Sequence, residues 1–225
     1  MENITNFISS QSVLIPIIIG ILRYKGLCNL YNPFYFLLLM GLLAEIVSFI
    51  LINTLHLSNA PVIKVYSLVE CFVILYQLYL WKQTIRYKYL CLYLAGTCTV
   101  FWLTEVVIFS NINTFSPYFR VFYAFIIVLL GINQINAMMF YYNDTLLKNP
   151  KFVISLGFII FFLYQIIYEA SFFIGYDKSF VANKIIIGFG YINLFTNLIY
   201  AVAMFLITQN TNDGDKIFLN KGVYK

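Results

Sequence analysis

Apolar runs long enough to cross a bilayer recur along the whole chain, separated only by short polar links. They fall at approximately 5–24, 34–54, 61–81, 89–110, 118–142, 151–175 and 184–207. A hydrocarbon core of about 30 Å needs about 20 helical residues, so each run predicts one transmembrane helix. The links at 25–33, 54–60, 82–88, 110–117, 143–150 and 176–183 are too short to fold by themselves. The pattern predicts an all-α membrane protein, a bundle of seven transmembrane helices occupying residues 1–208. Residues 209–225, with Asn-Thr-Asn-Asp-Gly-Asp, read as a short solvated tail. Such a bundle uses almost the whole chain, so function is expected within the membrane or through a partner.

Composition agrees with this reading. Hydrophobic residues make up 62% and charged residues 10%, with a mean hydropathy of +0.85, values foreign to a soluble domain. The distribution of basic residues orients the bundle, because short cytoplasmic loops collect Lys and Arg. With the N-terminus outside, Arg23, Lys25, Lys82, Arg86, Lys88, Lys148, Lys151, Lys216, Lys221 and Lys225 fall on the cytoplasmic side, and Lys64, Arg120, Lys178 and Lys184 on the outer side. That asymmetry predicts N-out and a cytoplasmic C-terminus. The net charge of +5 is then a basic rim beside anionic headgroups and calls for no nucleic acid.

The first run has no basic segment before it and no small-residue cleavage site after it, so it is expected to stay as the first helix. Ser9, Ser10, Gln11 and Ser12 make its outer part polar, and Pro16 one turn deeper is expected to kink it. Cys28 falls in a link and Cys71, Cys91 and Cys98 in spans, where they read as small buried hydrophobes.

Four of the nine acidic residues, Glu45, Glu70, Glu105 and Glu169, sit inside apolar runs with no Lys or Arg at comparable depth along the sequence. A carboxylate in hydrocarbon is costly unless it is protonated, paired or facing water, which makes these acids candidates for function. On the second helix Gly41, Glu45 and Ser48 share a face; on the third, Tyr66, Glu70 and Gln77 do. Glu45 and Glu70 lie at similar depth, and facing one another they would share a proton or bind a cation. The structural alternative is that each is an interhelical hydrogen-bonding group. Glu105, and Glu169 with Gln165 one turn before it, fall in the outer halves of their helices, near the expected mouth of an outward-opening pocket together with the segment 9–12.

The inner half carries amides: Asn133, Gln134 and Asn136 on the fifth helix, and Asn193, Asn197 and Tyr200 in a stripe on the seventh. Carboxyls outside and amides inside would line a route across the membrane. Equally, amides serve as interhelical contacts worth about 1 kcal/mol each. Gly131, Gly157, Gly188 and Gly190 are expected to permit close helix approach. Shifting the chain by 124 residues superimposes Glu45 on Glu169 and Tyr76 on Tyr200, an alignment that a parallel duplication or the biased composition alone would produce.

Several chemistries lack their residues. The segment from Gly188 to Thr208 holds no Lys for a retinal Schiff base, and the lone His56 cannot build a zinc site of the membrane-hydrolase type. Nucleophile-elbow, P-loop and dinucleotide motifs are missing. No catalytic residue, metal or cofactor is expected.

The segments Ala44-Glu45-Ile46-Val47-Ser48, Val65-Tyr66-Ser67-Leu68-Val69-Glu70, Asn149-Pro150-Lys151-Phe152-Val153-Ile154-Ser155 and Asn193 to Ala201 resemble a group of small, uncharacterised seven-helix membrane proteins of Bacteroidota. The resemblance implies an inner-membrane location and transfers no activity and no site residue. Three function classes follow from the residues. The bundle translocates or exchanges a proton or small polar or cationic solute; or it is a sensor or accessory subunit that binds an outer ligand and signals to a protein at its basic cytoplasmic loops; or it is an intramembrane enzyme. The candidate ligand- or proton-binding residues are Glu45, Glu70, Tyr66, Glu105, Glu169, Gln165, Asn193 and Asn197.

Overall fold

A computed structural model describes residues 11–23, 29–81, 85–109, 112, 114–141, 146–173 and 180–209. Within these residues the fold is all-helical. Helix α1 spans Leu14–Leu22, following a 3₁₀ turn at Gln11–Val13; α2 spans Asn32–Asn53, α3 Ala60–Trp81, α4 Ile85–Thr104, α5 Tyr118–Tyr141, α6 Pro150–Phe173 and α7 Phe180–Gln209. The six from α2 to α7 include stretches long and apolar enough to cross a membrane, and the chain is a multi-pass membrane protein.

Helix α1 is described only from the turn at Gln11 onward. The apolar helix Gln11–Leu22 rises only about 18 Å at 1.5 Å per residue, less than a bilayer core. At the turn before α1, Ser12 Oγ accepts from Asn197 Nδ2 of α7 at 2.7 Å. Pro16 lies in the first turn of α1, where its missing N–H removes no intrahelical bond and the expected kink is not required. The expected Ser9 and Ser10, the link residues Lys25 and Cys28, Lys178 and the tail from residue 210 onward lie outside the described residues.

Local chemistry sets the helix starts. Pro33, Pro61 and Pro150 occupy first or second helical positions. Asn149 caps α6 by accepting from Lys151 N at 3.0 Å, and Ser58 Oγ accepts from Ala60 N at 3.2 Å at the start of α3. The short α2–α3 link turns through His56, whose φ is 54°, a left-handed conformation that His tolerates better than most side chains. The links after α2, α4 and α6 define one end of the bundle, called here the Thr54 end; those after α1, α3 and α5 define the opposite, Arg23 end.

The helices close a ring: α1 packs on α7 and α2, α2 on α3, α3 on α5, α5 on α6, and α6 on α7, while α4 lies outside against α3 and α5. Close approach of α6 and α7 depends on Gly157, where a Cβ would collide with the Tyr200 ring, and that of α5 and α6 on Gly131, where it would lie 2.9 Å from Ile159 Cγ1. Gly131 and Gly157 thus act as close-approach positions, as their placement suggested.

Toward the Arg23 end the ring is filled. Phe34, Leu78, Ile154 and Met204 are each 0% exposed. Phe34, Phe158 and Tyr200 meet edge to face with centroids 5.2–6.2 Å apart, favourable quadrupole geometry. Gln77 finishes this half: its Oε1 accepts from Phe34 N and its Nε2 donates to Leu30 O, both at 2.8 Å. It thereby satisfies a donor left open in the first turn of α2.

Candidate functional site

Above the Phe158–Tyr200 floor the ring borders an open cavity of about 430 Å³. Its walls come from α2, α3, α5, α6 and α7, and from Val13 at the start of α1. Among the candidate residues, Glu45, Glu70, Tyr66, Gln165, Asn193 and Asn197 all line it. Gly41, Glu45 and Ser48 on α2 face Tyr66 and Glu70 on α3 across the same space, as the helical spacing of those residues suggests.

Glu70 is the most thoroughly held of the four acids. Tyr66 donates to its Oε1 at 3.0 Å, and Tyr123 of α5 to its Oε2 at 2.5 Å. Gln165 Nε2 of α6 donates in turn to the Tyr123 hydroxyl at 3.0 Å. One carboxyl thus links α3, α5 and α6. Hydrogen bonds to a charged group contribute about 1.5–3 kcal/mol each, enough to offset much of the cost of a buried acid. The direct Glu45–Glu70 pairing expected from the sequence is replaced by this phenolic network, in which both Glu70 oxygens are already engaged.

Glu45 is placed differently. Its Oε2 is enclosed and has no hydrogen-bond partner among the described residues. It remains partly exposed on the cavity wall.

Two acids move away from the predicted mouth. Glu169 is fully buried behind the wall, with Arg120 Nη1 2.7 Å from its Oε1. The approach is close but off the line of a hydrogen bond, since neither Glu169 oxygen has such a partner among the described residues. Glu105 lies at the start of a π-helical turn, Glu105–Phe109, that ends α4. It accepts from Phe119 N at 2.6 Å and from the Ser116 hydroxyl, capping α5, and does not border the cavity. A carboxylate at a helix N-terminus meets open N–H groups and the positive end of the dipole.

The expectation that these acids have no basic residue at their depth is therefore overturned. Arg120 reaches Glu169, and Lys64 of α3 is buried in the protein. Both bases stand near helix starts, so sequence position put them at the rim, but a long side chain on the inward face reaches a turn deeper. Arg120 borders the cavity and, like Tyr123 in the Glu70 network, is a residue of the site that reading the sequence missed. Its signal was present, since Arg120, Tyr123, Ile127 and Gln134 share one face of α5.

The amide route does not form as expected. Asn133 and Asn136 are exposed on the outside of the bundle and only Gln134 of that trio is buried. Asn193, Asn197 and Tyr200 do form a continuous stripe, but on the cavity wall. The alignment at a shift of 124 pairs unlike environments, since Glu45 faces the cavity and Glu169 is sealed behind it against Arg120.

Comparison with protein families, with curated proteins and with solved structures yields no match.

Proposed function

We propose that this protein translocates or exchanges a small polar or cationic solute, or a proton, through the cavity bounded by Glu45 and Glu70, in the inner membrane with its N-terminus outside. The observation that carries this reading is an acid without a hydrogen-bond partner among the described residues, Glu45 Oε2, on the wall of a cavity that also presents Glu70, Arg120, Gln165, Asn193 and Asn197 within a ring of apolar helices. Such an arrangement is costly in hydrocarbon and has no packing purpose of its own. Of the groups lining the cavity, Glu45 and Glu70 are acidic, and the basic Arg120 faces Glu169 behind the wall, so a positively charged solute is favoured over an anion. The filled half toward the Arg23 end corresponds to one closed gate, and passage requires the Phe34–Phe158–Tyr200 cluster to part. The orientation rests on the basic residues. Lys64 and Arg120 are drawn inside toward acids, which leaves the Thr54 rim poorer in positive charge than the sequence count implies.

A second reading, a sensor that binds a ligand from the outer side and signals to a partner, is favoured by the same packed half. Apolar side chains seal the route there, and Asn133 and Asn136 face away from it. Purified protein in proteoliposomes, with an entrapped pH-sensitive dye and an imposed potential, separates the two. Proton or ammonium flux above that of protein-free vesicles supports transport, and saturable ligand binding with no flux supports sensing.

A further inference from the structure

The polar groups around the cavity differ in how much of their bonding capacity is already used, and that difference narrows the ligand. Arg120 is held by Glu169 on the side away from the cavity, and Glu70 is occupied by two phenolic hydroxyls. Glu45 is the lining acid left without such a partner among the described residues. On the walls formed by α6 and α7, Phe161, Tyr168 and Phe189 border the same space as a contiguous aromatic surface. Tyr168 stacks on Phe189 with centroids 4.6 Å apart and Phe161 stands 5.7 Å from Phe189. An acid and aromatic rings around one cavity are the elements that recognise an organic ammonium ion: the carboxylate supplies the counter-charge and the ring faces supply cation–π attraction.

Size points the same way. A water molecule takes about 30 Å³ of liquid volume, so a cavity of about 430 Å³ far exceeds what a proton or a bare metal ion requires. A metal cation would also ask for several converging oxygen ligands, and no group of three or more His, Cys, Asp or Glu converges among the described residues. An anionic ligand would meet Glu45 and Glu70 directly, and the charge of Arg120 in the lining is already offset by Glu169 2.7 Å away.

We infer that the cavity is a binding site for a small organic ammonium ion, with Glu45 as its counter-ion and Phe161, Tyr168 and Phe189 as its aromatic wall. This assignment rests on the proposed role of the cavity and specifies its ligand class. It gives Glu45 and Glu70 separate tasks: Glu45 contacts the ligand, and Glu70 fixes α3, α5 and α6 around it.

The test is equilibrium binding of radiolabelled tetraethylammonium and choline to the full-length protein in nanodiscs, with sodium and potassium chloride at matched ionic strength and a neutral polyol as competitors. The expected result is saturable binding of at least one ammonium probe that neither the salts nor the polyol displace. E45Q should weaken it by more than about tenfold, the scale of a desolvated cation losing its counter-ion. E45D, which keeps the charge, should retain most of the affinity, and F189L should weaken binding by a smaller factor. A single size-exclusion peak for each variant establishes that loss of binding is not loss of fold. Absence of saturable ammonium binding to the wild type, or equal binding by wild type and E45Q, overturns the assignment. Proton flux without ammonium binding would refute the ligand class while leaving transport intact, whereas ammonium binding without any flux would uphold the ligand class and refute transport.

Discussion

Arg120 Nη1 and Glu169 Oε1 lie 2.7 Å apart inside the helix ring, with the Glu169 side chain fully enclosed and that of Arg120 18% exposed. The pair joins the first turn of α5 to the last turn and a half of α6 beside the cavity wall. Two opposite charges at this separation offset one another's desolvation, and the removal of either leaves the other buried without its partner, typically at a cost of about 3–5 kcal/mol.

Single replacements Arg120→Met and Glu169→Gln should therefore each lower the thermal stability of the detergent-solubilised protein markedly. The double replacement should recover much of the loss, because it removes both charges together. Melting curves of the four proteins form a double-mutant cycle, and additive losses would contradict the pairing.

Glu105 provides the contrast with the cavity acids. It caps the start of α5 through Phe119 N and the Ser116 hydroxyl, so Glu105→Ala should destabilise by about 0.5–2 kcal/mol, the range for a lost helix cap. Once folded, the variant should bind and transport as the wild type does. Melting temperature together with flux normalised to reconstituted protein checks both halves of that expectation.

Gln77→Leu should act at the opposite end. It strands Phe34 N and Leu30 O, and each buried unsatisfied group costs about 1–3 kcal/mol. Because Phe34 belongs to the aromatic cluster under the cavity, the variant is also expected to loosen that closure. Faster hydrogen exchange in the first turns of α2 is the readout, and unchanged exchange would contradict the role given to Gln77.

Much of the architecture was legible because a bilayer imposes a simple rule: apolar runs of fixed length become helices. The six long helices follow from it. The convergence of Glu45, Tyr66, Glu70, Gln165, Asn193 and Asn197 on one cavity was legible to the extent that helical spacing puts residues on a common face. What stayed hidden depends on how helices rotate against one another and on side-chain reach. Arg120 and Lys64 looked like rim residues because only backbone depth can be read from a sequence. Glu105 looked like a cavity acid because nothing local announces the π-helical turn that directs it to the start of α5. Gln77 shares the face of Tyr66 and Glu70, yet two backbone groups of the α2 entry use it.

The orientation calls for its own check. A reporter fused after Lys225 should behave as cytoplasmic, and one inserted in the link at 54–59 as external. The reverse pattern would place the cavity in the cytoplasmic half and transfer the closed gate to the outside.

The most direct measurement is flux through protein reconstituted with both cavity acids neutralised. Glu45→Gln and Glu70→Gln keep side-chain size and much of the hydrogen bonding but remove the ability to ionise, so the ring should remain folded, as judged by helical circular dichroism and a single size-exclusion peak. Uptake of radiolabelled tetraethylammonium and dye-reported proton movement are then followed in proteoliposomes bearing the wild type and the double variant. The expected result is loss of both signals in the folded double variant. Full retention of wild-type flux would mean that Glu45 and Glu70 serve only packing, and would contradict the assignment of this cavity as the path of the solute.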